Sequence, residues 1–180
     1  VKNDDELKEF VMFPHKLYKD SKYWVAPIIK EELEVLNKEI NPVFKNADAH
    51  YFLAFINGEI VGRIAALVNW VEVNDLKKKK VRFGWFDFVD NKEVSKSLLN
   101  EVIKIGNDNN LEFIEGPVGF SNMDKAGMLI KGFEKKNTMI TLYNHSYYQD
   151  HMIAHGYKKL AEWVEYLSLI HISEPTRQWQ

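Results

Sequence analysis

The sequence predicts an α/β domain of the α+β kind, with a mixed, mostly antiparallel central sheet and flanking helices. Three observations carry this reading. An Asn57-Gly58 dipeptide separates two apolar runs, 51–56 and 60–68, a strong short-range signal for a β-hairpin. A third alternating run, 81–89, is followed by a helical stripe and a short apolar segment, the pattern of two parallel strands joined by a right-handed crossover. Two stretches of helical period precede the hairpin.

In chain order, residues 3–13 place Leu7, Phe10 and Val11 at helical spacing, with Asn3 and Glu6 set as a capping box. Pro14 lacks an amide hydrogen and clashes within a helix, so the chain is expected to bend there, ahead of the Leu17-Tyr18 turn and the aromatic pair Tyr23-Trp24. A second helix is expected over 31–39 with Leu33, Leu36 and Ile40 inward, ended by Asn41-Pro42. In the third strand, alternation puts Phe83, Trp85 and Asp87 on one face and Gly84, Phe86 and Phe88 on the other. Asp90 and Glu93 resemble a second capping box, and Val94, Leu98, Val102 and Ile105 form a stripe that runs to about Asn107. Residues 113–115 read as a short strand parallel to the third. The stretch 116–145 holds four glycines and a proline among apolar positions, which predicts an ordered loop. A helix over 146–155 ending at Gly156 precedes a last strand over 160–169.

The chain has 180 residues, the size of one domain, and no cysteine, which excludes disulfides, thiolate metal sites and a cysteine nucleophile. A net charge of -2 and a pI near 6.3 offer no global attraction for nucleic acid, and the one dense basic run, Lys77 to Lys80, is expected to be a solvated hairpin loop. No apolar stretch approaches the length of a membrane span, and no signal-peptide core is present. The expectation is a cytoplasmic protein with neither nucleic acid nor membrane as a partner. A start at Val1 predicts that residues precede it.

Several phrases, taken with the order of elements, resemble an uncharacterised branch of the GCN5-related N-acetyltransferase family. They are FVMFPHKLYKDSKYWVAPI at 10–28, NPVF at 41–44, GEIVGRIAAL at 58–67, FGWFDF at 83–88, EGPVGFSNMDKAGMLIKGFE at 115–134 and YNHSYYQDHMIAHGYKK at 143–159. The resemblance spans residues 1 to about 168 and implies a single domain of that fold, truncated at both ends. The phrase LSLIHISEPTRQ at 167–178 instead resembles translated sequencing adapter, so 169–180 is expected to be a non-native tail.

What the resemblance implies is transfer of an acyl group from acetyl-CoA or another acyl-CoA to a small-molecule amine. Asp87 is the candidate base, and Tyr147 and Tyr148 are candidate acids, since Met152 stands where such enzymes often carry a tyrosine. Asp87 reads equally well as a hydrogen-bonded strand-end residue, and the two tyrosines as packing at a helix start. A coenzyme A site is implied at Phe88, Asn91, Lys92, Lys96 and Asn144. The loop at 90–96 lacks the glycines that expose amides to a pyrophosphate in this family, and Asp90 and Glu93 add negative charge there. Gly116, Gly119, Ser121, Asn122 and Asp124 follow a parallel strand at its carboxyl end, where open sheets bind ligands, and are the candidate substrate contacts. Arg63 either binds an acid or pairs with a nearby carboxylate. His151 and His155 stand four apart, but the glutamate of a His-Glu-x-x-His zinc site is missing, and no metal is expected.

Overall fold

The computed structural model describes residues 1–121, 123–138 and 141–165. Four strands lie side by side in chain order: β1 (Ala47–Ile56), β2 (Glu59–Asn69), β3 (Lys80–Phe88) and β4 (Phe113–Glu115). The first three are antiparallel; β4 runs parallel to β3, reached through helix α4 (Lys92–Asp108). This is the expected mixed sheet. Helices α1 (Asp4–Leu17) and α2 (Ile29–Leu36) pack on one face. Helix α4 and helix α5 (Tyr147–Ala154) pack on the other, and a short α3 (Trp70–Asn74) links β2 to β3. No helix among the described residues is long and apolar enough to cross a membrane.

Strand β2 is covered on both faces, which explains its unbroken apolar run. Ile64, Ala66 and Val68 meet Leu98, Val102 and Met152 on the α4 side, while Ala65 and Leu67 meet Phe10 and Leu36 on the α1 side. The β1–β2 turn has positive φ at both Asn57 (51°) and Gly58 (83°), the geometry for which Asn-Gly is selected.

The structure corrects several expectations. Helix α1 passes through Pro14 instead of bending before it. Helix α2 ends at Leu36, a 3₁₀ turn follows at Pro42–Lys45, and Ile40 is 61% exposed. The cap of α4 is Asn91, whose Oδ1 accepts from the Glu93 amide; Asp90 points elsewhere. Lys80 is not solvated. It is buried with Arg82 between Glu72 and Glu115, with Lys80 Nζ 2.5 Å from Glu115 and Arg82 2.6 Å from Glu72. Residues 157–165 form no strand, and the rest of the expected last strand, like the tail at 169–180, lies outside the described residues.

The alternation expected of β3 also fails, for a reason that shapes the site. Pairing shifts between Arg63↔Asp87 and Ala65↔Gly84, so Ile64 faces two residues of β3, and Trp85 takes a φ of 45°. This is a β-bulge. Phe83 therefore shares the α4 face with Phe86 and Phe88, while Trp85 packs on the α1 face. Counted without a bulge from Phe83, Asp87 would point into the apolar α4 core. The extra residue turns it toward α1 and Arg63.

Candidate functional site

Strand β4 pairs with β3 only from Lys80 to Arg82. The chain then turns away at Gly116-Pro117, and Val118 N donates to Phe83 O at 2.8 Å. Beyond Gly84 no strand among the described residues continues on that edge. Two tyrosines at the start of α5 take the backbone groups of Phe88: its amide donates to Tyr148 Oη at 3.1 Å, and Tyr147 Oη donates to its carbonyl at 2.5 Å. The Tyr148 ring stacks on Phe88 with centroids 4.2 Å apart.

From Tyr148 a buried chain of hydrogen bonds leads to Asp87. Tyr18 Oη donates to Asp87 Oδ1 at 2.7 Å and lies 2.9 Å from Tyr148 Oη. Since Tyr18 spends its single hydrogen on the carboxylate, Tyr148 donates to Tyr18, and the Phe88 amide donates to Tyr148. Burial, followed by the nearby Asp87 charge, raises both phenols well above the usual tyrosine pKa. Both stay protonated donors at neutral pH. Tyr147 is raised in the same direction, again mainly by burial.

Arg63 completes the other side of Asp87, with Nε at 2.8 Å and NH2 at 2.7 Å from Oδ2. Its NH1 donates to Phe10 O at 2.8 Å. That carbonyl is the helix acceptor one turn before Pro14, which has no amide hydrogen to give it. Proline inside α1 thus leaves an acceptor open, and a strand arginine fills it. His15, on the next residue, has a buried Nε2 without a hydrogen-bond partner and a pKa lowered by burial and then by Arg63.

A second polar cluster ties α4 to α5. Ser95 Oγ lies 2.9 Å from His151 Nδ1 and 2.8 Å from His155 Nε2, and His151 Nε2 lies 2.9 Å from Asp90 Oδ1. Ser95 has one hydrogen, shared between His151 Nδ1 and Lys92 O at 3.1 Å, while His155 donates to Ser95 and His151 Nε2 to Asp90. Ser95 is fully buried, so the trio serves as a clamp between helices. Among the described residues no group of three or more His, Cys, Asp or Glu is arranged to hold a metal.

The sequence candidates separate clearly on this frame. Asp87 and Tyr148 come together through Tyr18, and Tyr147 and Phe88 join them. Lys92 and Lys96 line a groove between α4 and α5 with His155 and Tyr157. Asn91 spends its side chain on the helix cap. Asn144 is a buried loop staple, not a groove residue: it bonds both Leu129 N and Leu129 O. A pyrophosphate at the α4 terminus would face the Asp90 and Glu93 carboxylates, with one amide already taken by Asn91, so only Lys92 and Lys96 suit it there.

Gly116 and Gly119 answer to packing. A Cβ on Gly116 would lie 2.5 Å from Phe83 O, and one on Gly119 2.5 Å from Asp124 Cβ. Asp124 Oδ2 accepts from Ser121 N at 2.7 Å, so this pair closes a turn. Asn122 lies outside the described residues. Sequence reasoning missed Tyr18 and Ser95 altogether. Tyr18 carried no signal in spacing, whereas Pro14 within a helical stripe was a usable pointer to an outside donor for Phe10.

No protein-family model matches the chain. It is 28% identical over 167 residues to Protein YghO of Escherichia coli (strain K12), covering 91% of this chain and 43% of that protein. It is 25% identical over 167 residues to a bacterial ceramide synthase of Caulobacter vibrioides (strain NA1000 / CB15N), covering 92% and 44%. A crystal structure described as that of a probable acetyltransferase superposes on 91% of this chain and 89% of its own, with 11% identity and a TM-score of 0.49. Over nearly all of its length the chain is thus similar to a part, less than half, of two longer bacterial proteins.

Proposed function

We propose that this chain is the acyl-transfer segment of a longer N-acyltransferase, which moves an acyl group from a thioester donor such as an acyl-CoA to an amine. The observation that carries the reading is the outer edge of β3 at Phe88, which no strand continues among the described residues and where the Phe88 amide meets Tyr148, joined through Tyr18 to the buried Asp87 carboxylate. The order of hairpin, strand, helix and strand, which resembles that of the GCN5-related N-acetyltransferases, supports it. So does the similarity to a protein named ceramide synthase, since a ceramide is the amide of a long-chain amine.

In this reading the donor carbonyl lies against Tyr148 at the outer edge of β3, with that tyrosine still bonded to Tyr18. The amine attacks the carbonyl carbon, a C–N bond forms and the C–S bond breaks. The amine proton enters the chain at Tyr148, the Tyr148 hydrogen passes to Tyr18, and the Tyr18 hydrogen passes to Asp87. The reverse movement delivers a proton to the leaving sulfur, so no residue ends with a changed charge. Arg63 fixes the orientation of Asp87 through its two contacts to Oδ2.

The test is calorimetric titration of the full-length parent with acetyl-CoA and longer acyl-CoAs, followed by thiol release in the presence of long-chain amines. Donor binding and release of free thiol are expected, with Tyr148→Phe lowering kcat by about 10²-fold or more. Absence of heat with every donor removes the enzyme reading. It favours a ligand-binding or interaction domain, a reading that the carboxylates of Asp90 and Glu93 beside the α4 terminus support.

A further inference from the structure

The connection from α1 to α2 presents apolar side chains to solvent on a fixed base. Val25 and Ile28 are 51% and 62% exposed, and Tyr23 and Trp24 are half-buried. The backbone beneath them is held at several points. The Tyr23 and Trp24 amides donate to Ser21 Oγ at 3.3 and 3.2 Å. Val25 N donates to Asn137 Oδ1 at 2.9 Å, and Asn137 N donates to Tyr23 O at 3.4 Å. The Trp24 ring rests on His15 and Tyr18, with centroids 5.1 and 5.4 Å away. The loop cannot fold its aliphatic tips inward without giving up these contacts.

The loop itself carries more lysines than carboxylates, ahead of Glu31, Glu32 and Glu34 on α2. Between residues 16 and 30 stand Lys16, Lys19, Lys22 and Lys30 against Asp20, in a chain of net charge -2. Lys16 is paired with Glu59, and Lys30 lies 3.8 Å from Glu34. Lys19 and Lys22 have no carboxylate partner among the described residues, and the Lys22 ammonium lies 5.1 Å from the centre of the Tyr23 ring.

We propose that this loop docks the domain on the surface of an anionic phospholipid bilayer. Val25 and Ile28 enter the acyl boundary, Tyr23 and Trp24 sit at headgroup level, and Lys19 and Lys22 meet lipid phosphates. A stable protein interface buries about 1,200 Å² or more, far beyond what two aliphatic tips supply, whereas interfacial binding combines a small apolar insertion with charge. A chain can dock this way without a spanning helix. Because Trp24 packs on Tyr18, an amphiphile leaving the bilayer at this loop arrives beside the Asp87–Tyr18–Tyr148 chain. The docking stands apart from the acyl-transfer reading, since it is measured without donor or acceptor.

The experiment is flotation of the full chain with phosphatidylcholine vesicles, with and without phosphatidylglycerol. Binding is expected on the vesicles containing phosphatidylglycerol, weakening as salt is raised. Val25→Ser with Ile28→Ser should lower the apparent affinity about tenfold or more at an unchanged melting temperature, because both side chains face solvent. Lys19→Gln and Lys22→Gln should each lower it about fivefold. Failure of the parent to float with either vesicle overturns the proposal, as does full binding by the double serine variant. So does a parent that sediments as a dimer, becomes monomeric in the double serine variant and ignores vesicles, since the loop then joins two copies of the chain.

Discussion

Truncating Asp87 to alanine is the sharpest test of the buried network. The side chains of Arg63 and Asp87 are 7% and 12% exposed, and the carboxylate takes bonds from Arg63 and from Tyr18. Removing it leaves a guanidinium with Phe10 O as its remaining oxygen partner and Tyr18 with an unmet donor. Breaking a buried pair from one side costs about 3–5 kcal/mol. For a chain of 180 residues the unfolding entropy near the midpoint corresponds to roughly 0.4 kcal/mol per degree. Asp87→Ala should therefore lower the midpoint by about 8–13 °C. Arg63→Met combined with Asp87→Leu removes both charges while keeping volume and should cost less than the single truncation. Besides the acceptor that Tyr18 loses, that double variant lacks a donor for Phe10 O, worth about 1–3 kcal/mol. Adding Pro14→Ala supplies the missing helix amide and should recover most of it. Circular dichroism and calorimetry on the parent, these three variants and Pro14→Ala alone measure each step. The reasoning fails if Asp87→Ala shifts the midpoint by less than about 3 °C. It also fails if Pro14→Ala stabilises the parent as much as it stabilises the double variant.

Ser95→Ala leaves His151 and His155 without their shared partner and should cost about 1–3 kcal/mol. Amide exchange should speed up across α5 more than across α4, and equal acceleration in both helices would contradict a clamp. Gly116→Ala forces a Cβ to within 2.5 Å of Phe83 O, so backbone must shift, at about 1–3 kcal/mol by thermal unfolding; a neutral result would show that the turn yields freely. His15, His50 and His155 all have pKa values below the ordinary 6.5, in each case first through burial. A base depressed in the folded state contributes stability that is whole above about pH 6.5 and is lost as pH falls toward the folded value. The midpoint should thus decline between pH 7 and 5, and His155→Asn should make that decline shallower; an unchanged slope would refute the assignment. Glu93→Gln should strengthen binding of an acyl-CoA by removing a negative charge at the α4 terminus, read by titration calorimetry, and weaker binding in a folded variant would count against that account.

The hairpin and the crossover were legible because each rests on a local rule: the Asn-Gly turn fixes the register of β1 and β2, and the stripe from Val94 to Ile105 has one period throughout. The faces of β3 were not legible. Alternation is counted residue by residue, and the bulge at Trp85 adds one residue that depends on what Ile64 and Arg63 require across the sheet. Pro14 misled for a related reason. Its cost within a helix is set by whether the orphaned carbonyl finds a partner, and the partner sits 53 residues away. Of the site, Asp87, Tyr147 and Tyr148 were visible as residue types near strand and helix ends. Tyr18 was not, because nothing in a helix end says which side chain will reach across a sheet. The glycines at 116 and 119 drew attention for a ligand and turned out to serve the close approach of backbone and side chain. A sequence alone does not distinguish those two uses of glycine.

The bonds that complete α1 join residues separated by 53, 69 and 130 positions. During synthesis the amino-terminal helix therefore leaves the ribosome long before anything exists to receive it. Phe10, Val11 and Phe13, all buried in the finished domain, wait for β2 and β3, and Tyr18 waits for Tyr148. At about 5–20 residues per second that interval lasts roughly ten seconds, ample time for a sticky segment to find a wrong partner. The nascent chain is thus most vulnerable between emergence of α1 and emergence of α5. A chaperone that shields apolar segments would act on residues 4–18 during that window, and the yield of folded protein should depend on translation speed between the codons for Arg63 and Tyr148.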